Sequence, residues 1–146
     1  MTKTIICNWG ASEQGKSATL RLVWDRLKEK NKNAKNKVFI DDGDIKISIE
    51  LDNTKVGIES QGDPNSRLTR EELSDLLDCD IIICTCRTRG ETPGVINRVA
   101  QNNGYRIIWV TNHRLNTQDS GVINSLNNLS ADGIVELTER IIRNEV

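Results

Sequence analysis

The stretch Thr4-Ile-Ile-Cys-Asn-Trp-Gly10-Ala-Ser-Glu-Gln-Gly15-Lys16-Ser17 decides how the rest of this chain is arranged. An apolar segment, Thr4–Cys7, runs directly into a loop that contains two glycines. Ser17–Lys30 follows, with apolar residues at the spacing of one helix face. The sequence therefore predicts a strand, a tight loop and an amphipathic helix in direct succession.

The loop has the spacing GxxxxGK[ST], which is typical of phosphate binding when it closes a strand and opens a helix. Glycines let the backbone curl with its N–H groups turned inward, where a Cβ would obstruct the curl. Lys16 is then expected to reach the β- and γ-phosphate oxygens, and the Ser17 hydroxyl to bind magnesium. The predicted nucleotide-binding residues of the loop are Gly10, Ala11, Ser12, Glu13, Gln14, Gly15, Lys16 and Ser17.

On these residues the chain resembles the P-loop NTPase superfamily. The later elements agree with that resemblance by their order, since buried-type strands such as Asp80–Cys84 and Tyr105–Val110 alternate with helical segments. We expect a three-layer α/β fold with a mostly parallel sheet, helices on both faces and ligands at the carboxyl ends of the strands. Ile45–Leu51 and Lys55–Glu59 are predicted to form an antiparallel hairpin.

Composition narrows the class of protein further. The 146 residues predict a single domain, 1–146, and the net charge of −1 gives no reason to expect nucleic acid or a membrane as partner. No apolar run is long enough to cross a bilayer, so we expect a soluble, cytoplasmic chain. Cys7, Cys84 and Cys86 match no zinc or redox spacing and are predicted to be buried and reduced.

The remaining elements are read from periodicity and turn chemistry. A strand is predicted at Lys37–Ile40, a short helix from a capping box at Thr69 to Leu77, and a helix at about Pro93–Asn102. Two helical segments, Ser120–Leu129 and Asp132–Asn144, are expected at the end, with a short strand at Ser130–Val135 as the alternative. The loops after the parallel strands should converge on the phosphate loop.

Phosphoryl transfer needs a carboxylate to hold magnesium or its water. Asp41 and Glu59 each end an apolar run and are the candidate metal ligands beside Ser17. Each is alternatively a turn acid.

Glu59-Ser-Gln-Gly62 resembles the small GTPases, in which a strand after a hairpin ends in an acid, two residues and a glycine. The resemblance implies that Glu59 holds the magnesium hydration shell and that the Gly62 N–H contacts the γ-phosphate, with Gln61 or Asp63 orienting water. The Asn-Lys-x-Asp motif that reads guanine is matched only by Asn112, which favours ATP over GTP.

Asp42-Gly-Asp44 is similar to the Asp-Gly-Asp of small-molecule kinases such as gluconate and adenylylsulfate kinases. That resemblance implies an acid near the acceptor and later arginines over the phosphates, here Arg87 and Arg89. The alternatives for these arginines are an arginine finger, a clamp for an anionic substrate and a solvated loop. Trp9 is expected to pack at the rim of the loop, with stacking on an aromatic group as the alternative.

The sequence therefore predicts magnesium-dependent ATP binding and slow hydrolysis, either as a switch or as an ATPase driven by a protein partner. A kinase that phosphorylates a small-molecule acceptor is the first alternative. A nucleotide-binding module without turnover is the second.

Overall fold

A computed structural model describes residues 1–10, 15–60, 72–86, 92–113 and 118–146 of the chain. The elements, in chain order, are β1 (Thr4–Trp9), α1 (Lys16–Lys30), β2 (Asn36–Asp41), β3 (Ile45–Leu51), β4 (Thr54–Glu59), a 3₁₀ helix (Glu72–Leu76), β5 (Ile81–Cys86), α2 (Thr92–Asn103), β6 (Arg106–Val110) and α3 (Ser120–Ile142). Of the predicted capping box, Thr69 to Glu72, residues 69–71 lie outside the described part, and Glu72 begins the 3₁₀ helix.

The described strands form one six-stranded mixed sheet in the order β2-β3-β4-β5-β1-β6. β3 is antiparallel to both β2 and β4, while the pairs β4–β5, β5–β1 and β1–β6 are parallel. The predicted hairpin is therefore confirmed, as is the α/β class. Because five of these strands run in one direction, their carboxyl ends share one edge of the sheet.

Helices cover both faces of the sheet. On one face, apolar residues of α1 and α3 such as Leu20, Val23 and Ile134 pack against Ile6 and Ile83. On the other face, α2 and the 3₁₀ helix pack against a second cluster. Two buried layers follow from the strand pattern, since successive side chains point to opposite faces.

The buried cysteines belong to the second layer. Cys7, Cys84 and Cys86 are buried and unbridged, which confirms their predicted burial. Hydrogen bonds with Cys84 and Cys86, and then burial, raise the pKa of Cys7 well above its ordinary value. Cys7 therefore stays a thiol and acts as a packing residue.

The predicted break near the end of the chain is wrong. α3 runs without interruption from Ser120 to Ile142, so Ser130–Val135 is helical. The sequence Gly133-Ile-Val favoured a strand by local propensity, but Ile134 and Val135 are buried against the α1 side of the sheet. Tertiary burial outweighs the propensity of these residues.

In described residues, no helix combines the length and apolar character that a membrane span requires.

Two glycines give opposite predictions for stability. A Cβ on Gly57 in β4 would lie 3.0 Å from both Cys79 Sγ and Leu76 Cδ2, whereas a Cβ on Gly133 meets nothing within 4 Å. Gly57→Val should lower the free energy of unfolding by about 1–3 kcal/mol through overpacking. Gly133→Ala should raise it by about 0.5–1 kcal/mol, because alanine loses less backbone entropy in a helix. Urea denaturation measures both; equal effects of the two variants would contradict this packing.

The buried Cys79 thiol, next to the 3₁₀ helix, predicts that the free energy of unfolding decreases at alkaline pH. Burial raises the pKa of the Cys79 thiol from 9.0 to about 12. A group whose pKa is raised in the folded state binds its proton more tightly there than in the unfolded chain. The contribution of the Cys79 thiol to the free energy of unfolding is therefore present below about pH 9 and is lost towards pH 12. The urea concentration at the midpoint of unfolding should decrease as the pH is raised from 8 to 10.5. In Cys79→Ala this midpoint should decrease less steeply over the same pH range. Parallel pH profiles of the two proteins would contradict the burial of this thiol.

Candidate functional site

The candidate site lies at the carboxyl edge of the sheet, where β1 passes into α1. β1 pairs with β5 on one side and β6 on the other, and the Gly10 N–H donates to Cys86 O at 3.1 Å. Gly10 is thus held by the neighbouring strand where β1 ends. Of the segment that follows, Ala11, Ser12, Glu13 and Gln14 lie outside the described residues.

Gly15 forms the turn into α1 with a left-handed backbone, φ +76°. A Cβ at this position would lie 2.5 Å from Asn127 Oδ1 of α3. The left-handed conformation therefore favours glycine, and a larger residue would also displace the Asn127 amide. As a glycine it supplies no side-chain cap to α1, and the first turn of α1 carries no acidic residue.

Lys16 is buried at the start of α1, with 7% of its surface exposed. Its Nζ donates a 2.7 Å hydrogen bond to Gly10 O, so the side chain spans the two ends of the segment. Its charge also acts on β5: the pKa of Cys86 is lowered, most by a hydrogen bond with Cys7 and further by the charge of Lys16. A positive potential is therefore present at this edge.

Ser17 connects the segment to the end of β4. The Ser17 hydroxyl donates to the Ser60 carbonyl oxygen at 3.1 Å. The Ser60 hydroxyl in turn accepts from the Ile45 N–H at 2.8 Å and lies 3.3 Å from Asp44 Oδ1. Asp44, Ser60 and Ser17 thus form one chain of polar contacts from the β2–β3 turn to α1.

The two acids predicted as metal ligands have other described partners. Asp41 is half exposed and forms an ion pair with Arg21 of α1 at 3.0 Å. Glu59 is fully buried and lies opposite Lys46, 3.5 Å from its Nζ. Lys46 Nζ also contacts Asp75 at 2.9 Å. β5 separates the strand of Glu59 from β1.

The direction of Glu59 follows from strand register. Glu59 is opposite Cys84, whose side chain belongs to the α2 layer, so the carboxylate lies on the face away from α1. The described contacts assign it a structural ion pair under the 3₁₀ helix.

Asn112 lies just beyond β6 and is buried. Its Oδ1 accepts from Asn8 Nδ2 at 2.8 Å and its Nδ2 donates to Thr19 Oγ1 at 3.0 Å. These hydrogen bonds connect the end of β6 to β1 and to the first turns of α1, next to the candidate site. The other predicted residues, Gln61, Gly62, Asp63, Arg87 and Arg89, lie outside the described part of the chain.

Sequence reasoning missed Ser60 and Asn127 as residues of this site. Ser60 follows Glu59, but a lone serine after a strand carries no distinctive signal. Asn127 reaches Gly15 from a helix more than a hundred residues away along the chain, so no local pattern could identify it.

The described polar contacts beside Ser17 involve the oxygen atoms of Ser60 and Asp44. Among residues with described positions, no three His, Cys, Asp or Glu side chains are placed to hold a metal ion together. The oxygens of Ser17, Ser60 and Asp44 are the ligand type that Mg²⁺ prefers, and Mg²⁺ usually keeps several waters and binds one or two carboxylates together with substrate phosphates.

Searches of protein-family models, curated proteins and solved structures returned no match to this chain.

Because Glu59 is paired with Lys46, removing the Glu59 charge should lower the free energy of unfolding whether or not a ligand is bound. Glu59→Gln removes the charge opposite a lysine that is 5% exposed. The free energy of unfolding should fall, but by less than the about 3–5 kcal/mol typical of a broken buried pair, since Asp75 still contacts Lys46. Glu50→Gln, at an exposed residue of β3, is the matched control, with an expected change within about 0.5 kcal/mol. Equal unfolding midpoints for the two variants would contradict the assignment.

Proposed function

We propose that this protein is a P-loop nucleoside triphosphatase that binds ATP with magnesium through the segment Gly10–Ser17 and hydrolyses it. The observation that carries the proposal is the buried Lys16 ammonium, held 2.7 Å from Gly10 O between the end of β1 and the start of α1. A lysine in this position meets an incoming phosphate with a charge that is already positioned.

The surroundings of Lys16 support an anion as the ligand. The N-terminus of α1 carries the positive end of the helix dipole, and no acid in its first turn offsets that charge. The left-handed Gly15 turns the backbone at the position that the GxxxxGK[ST] pattern specifies. A triphosphate would gain from the lysine, the backbone N–H groups and the dipole together.

Magnesium fits the oxygens next to Ser17. When bound, the ion would neutralise charge on the phosphate oxygens. Ser17 Oγ would be its protein ligand, and Asp44, linked to Ser17 through Ser60, would orient its water. Asp44 is the acid we propose for this role, because Asp41 is paired with Arg21 and Glu59 with Lys46.

A small-molecule kinase is the second candidate, and the Asp44–Ser60–Ser17 chain favours it. These contacts hold an acid of the Asp42-Gly-Asp44 turn near the proposed γ-phosphate position. An acid at that position could accept the proton of an attacking hydroxyl group. Whether water or an acceptor takes the phosphoryl group separates the two candidates.

The test follows the γ-phosphate of labelled ATP with magnesium, with and without a deproteinised extract of cell metabolites. The wild-type protein should release label as inorganic phosphate, and Lys16→Ala should abolish release, because the charge that holds the phosphates is lost. Lys32→Ala, which removes an exposed lysine after α1, is the matched control and should retain the wild-type rate.

Transfer of the label to a metabolite would contradict hydrolysis and support the kinase function. Equal release by the wild type and Lys16→Ala would contradict both candidates.

A further inference from the structure

Two tryptophans stand partly exposed at the same edge as the candidate site. Trp9 is 37% exposed and Trp109 is 39% exposed, whereas Trp24 in α1 is buried at 3%. The rings of Trp9 and Trp109 meet edge to face, with centroids 6.1 Å apart and planes at 75°. Tryptophan is enriched at binding interfaces because it presents a large apolar ring together with a polar N–H group.

Chain connectivity places this pair beside the proposed phosphate site. Trp9 ends β1 and is followed directly by Gly10. Trp109 lies in β6, opposite Cys7, so Trp109 and Trp9 share the α2 face of the sheet, whereas α1 covers the other face. β6 is the edge strand next to β1, on the side away from β4 and Ser60.

This arrangement gives a bound nucleotide a direction. Ser17, Ser60 and Asp44 lie towards β4, and the tryptophans lie towards β6, with the start of the Gly10–Ser17 segment between them. Phosphates at Lys16 and a base on the α2 face of β6 would place the nucleotide across the carboxyl end of β1, from the α1 face to the α2 face.

We propose that Trp9 and Trp109 form a stacking surface for the purine base of the nucleotide. This inference rests on the proposed function. It adds the two residues that would bind the base, which is the part of the nucleotide remote from the phosphates. An edge-to-face pair leaves ring surface open to a flat group, which can stack on one ring and contact the edge of the other.

Stacking makes a prediction about specificity. Every base has a π-face, so stacking discriminates weakly between bases that differ only in hydrogen-bonding groups. ATP and GTP should therefore bind with similar affinity, and both should bind more tightly than UTP, whose smaller ring covers less tryptophan surface.

The experiment compares ATP with inorganic tripolyphosphate, both with magnesium, by titration calorimetry. Tripolyphosphate carries the phosphates without a base, so it reports the Lys16 site alone. Trp109→Ala should weaken ATP binding about tenfold, as expected for the loss of one stacking partner, and change tripolyphosphate binding less than twofold. Trp109→Phe should fall between the wild type and Trp109→Ala. Val38→Ala, an exposed apolar residue on the far edge strand β2, should change neither affinity.

A second measurement needs no substitution. Tryptophan emission of the wild-type protein should be quenched by ATP and unchanged by tripolyphosphate at saturation. This readout keeps the proposal testable even where Trp109→Ala does not fold.

Several outcomes would overturn the stacking surface while leaving the proposed function intact. These are wild-type ATP affinity in a folded Trp109→Ala, equal losses for ATP and tripolyphosphate, or equal quenching by both. A change from dimer to monomer in Trp109→Ala with ATP affinity unchanged would instead make the pair an interface between copies of this chain. Failure of the wild type to bind either ligand would overturn the proposed function together with this inference.

Discussion

The pairing of β1 on both of its edges, with β5 and with the edge strand β6, is the constraint on which the rest of the structure depends. Hydrogen bonds to β5 on one side and β6 on the other fix where this strand ends, and the Gly10–Cys86 bond extends that control to the first residue beyond it. α1 begins at Lys16, six residues after Gly10, and Gly15 adopts the left-handed conformation that turns the chain into this helix. Lys16 is buried at the start of α1, where its ammonium group donates to Gly10 O.

The site draws on segments that are far apart in sequence. The end of β4 contributes Ser60, the β2–β3 turn contributes Asp44, and α3 contributes Asn127. Parallel strands make this possible, since their carboxyl ends share one edge and the connecting loops meet there. The same geometry sends Glu59 and Lys46 into the opposite layer, where their charges stabilise the fold without reaching α1.

Local patterns were sufficient for much of the fold. The apolar run before Gly10, the alternation in Ile45–Leu51 and the periodicity of Lys16–Lys30 each follow from short-range physics, and the structure contains the corresponding β1, β3 and α1. Strand order could not be predicted in this way, because the insertion of β5 between β4 and β1 depends on packing over long sequence distances. α3 was not predicted as one continuous helix for a related reason. Gly133 lowers the local helix propensity, and the burial of its neighbours Ile134 and Val135 outweighs that effect. The sequence identified Asp41 and Glu59 as acids at the ends of apolar runs, but it did not identify their partners Arg21 and Lys46, since ion pairs between elements have no sequence periodicity.

Amide hydrogen exchange tests the central claim most directly, namely that the turn between β1 and α1 binds the phosphates of a nucleotide. The account predicts that magnesium and ATP slow exchange at Gly15, Lys16 and Ser17, while exchange in β2, on the far edge of the sheet, stays unchanged. Unchanged exchange at these three amides under millimolar ATP and magnesium would contradict the account.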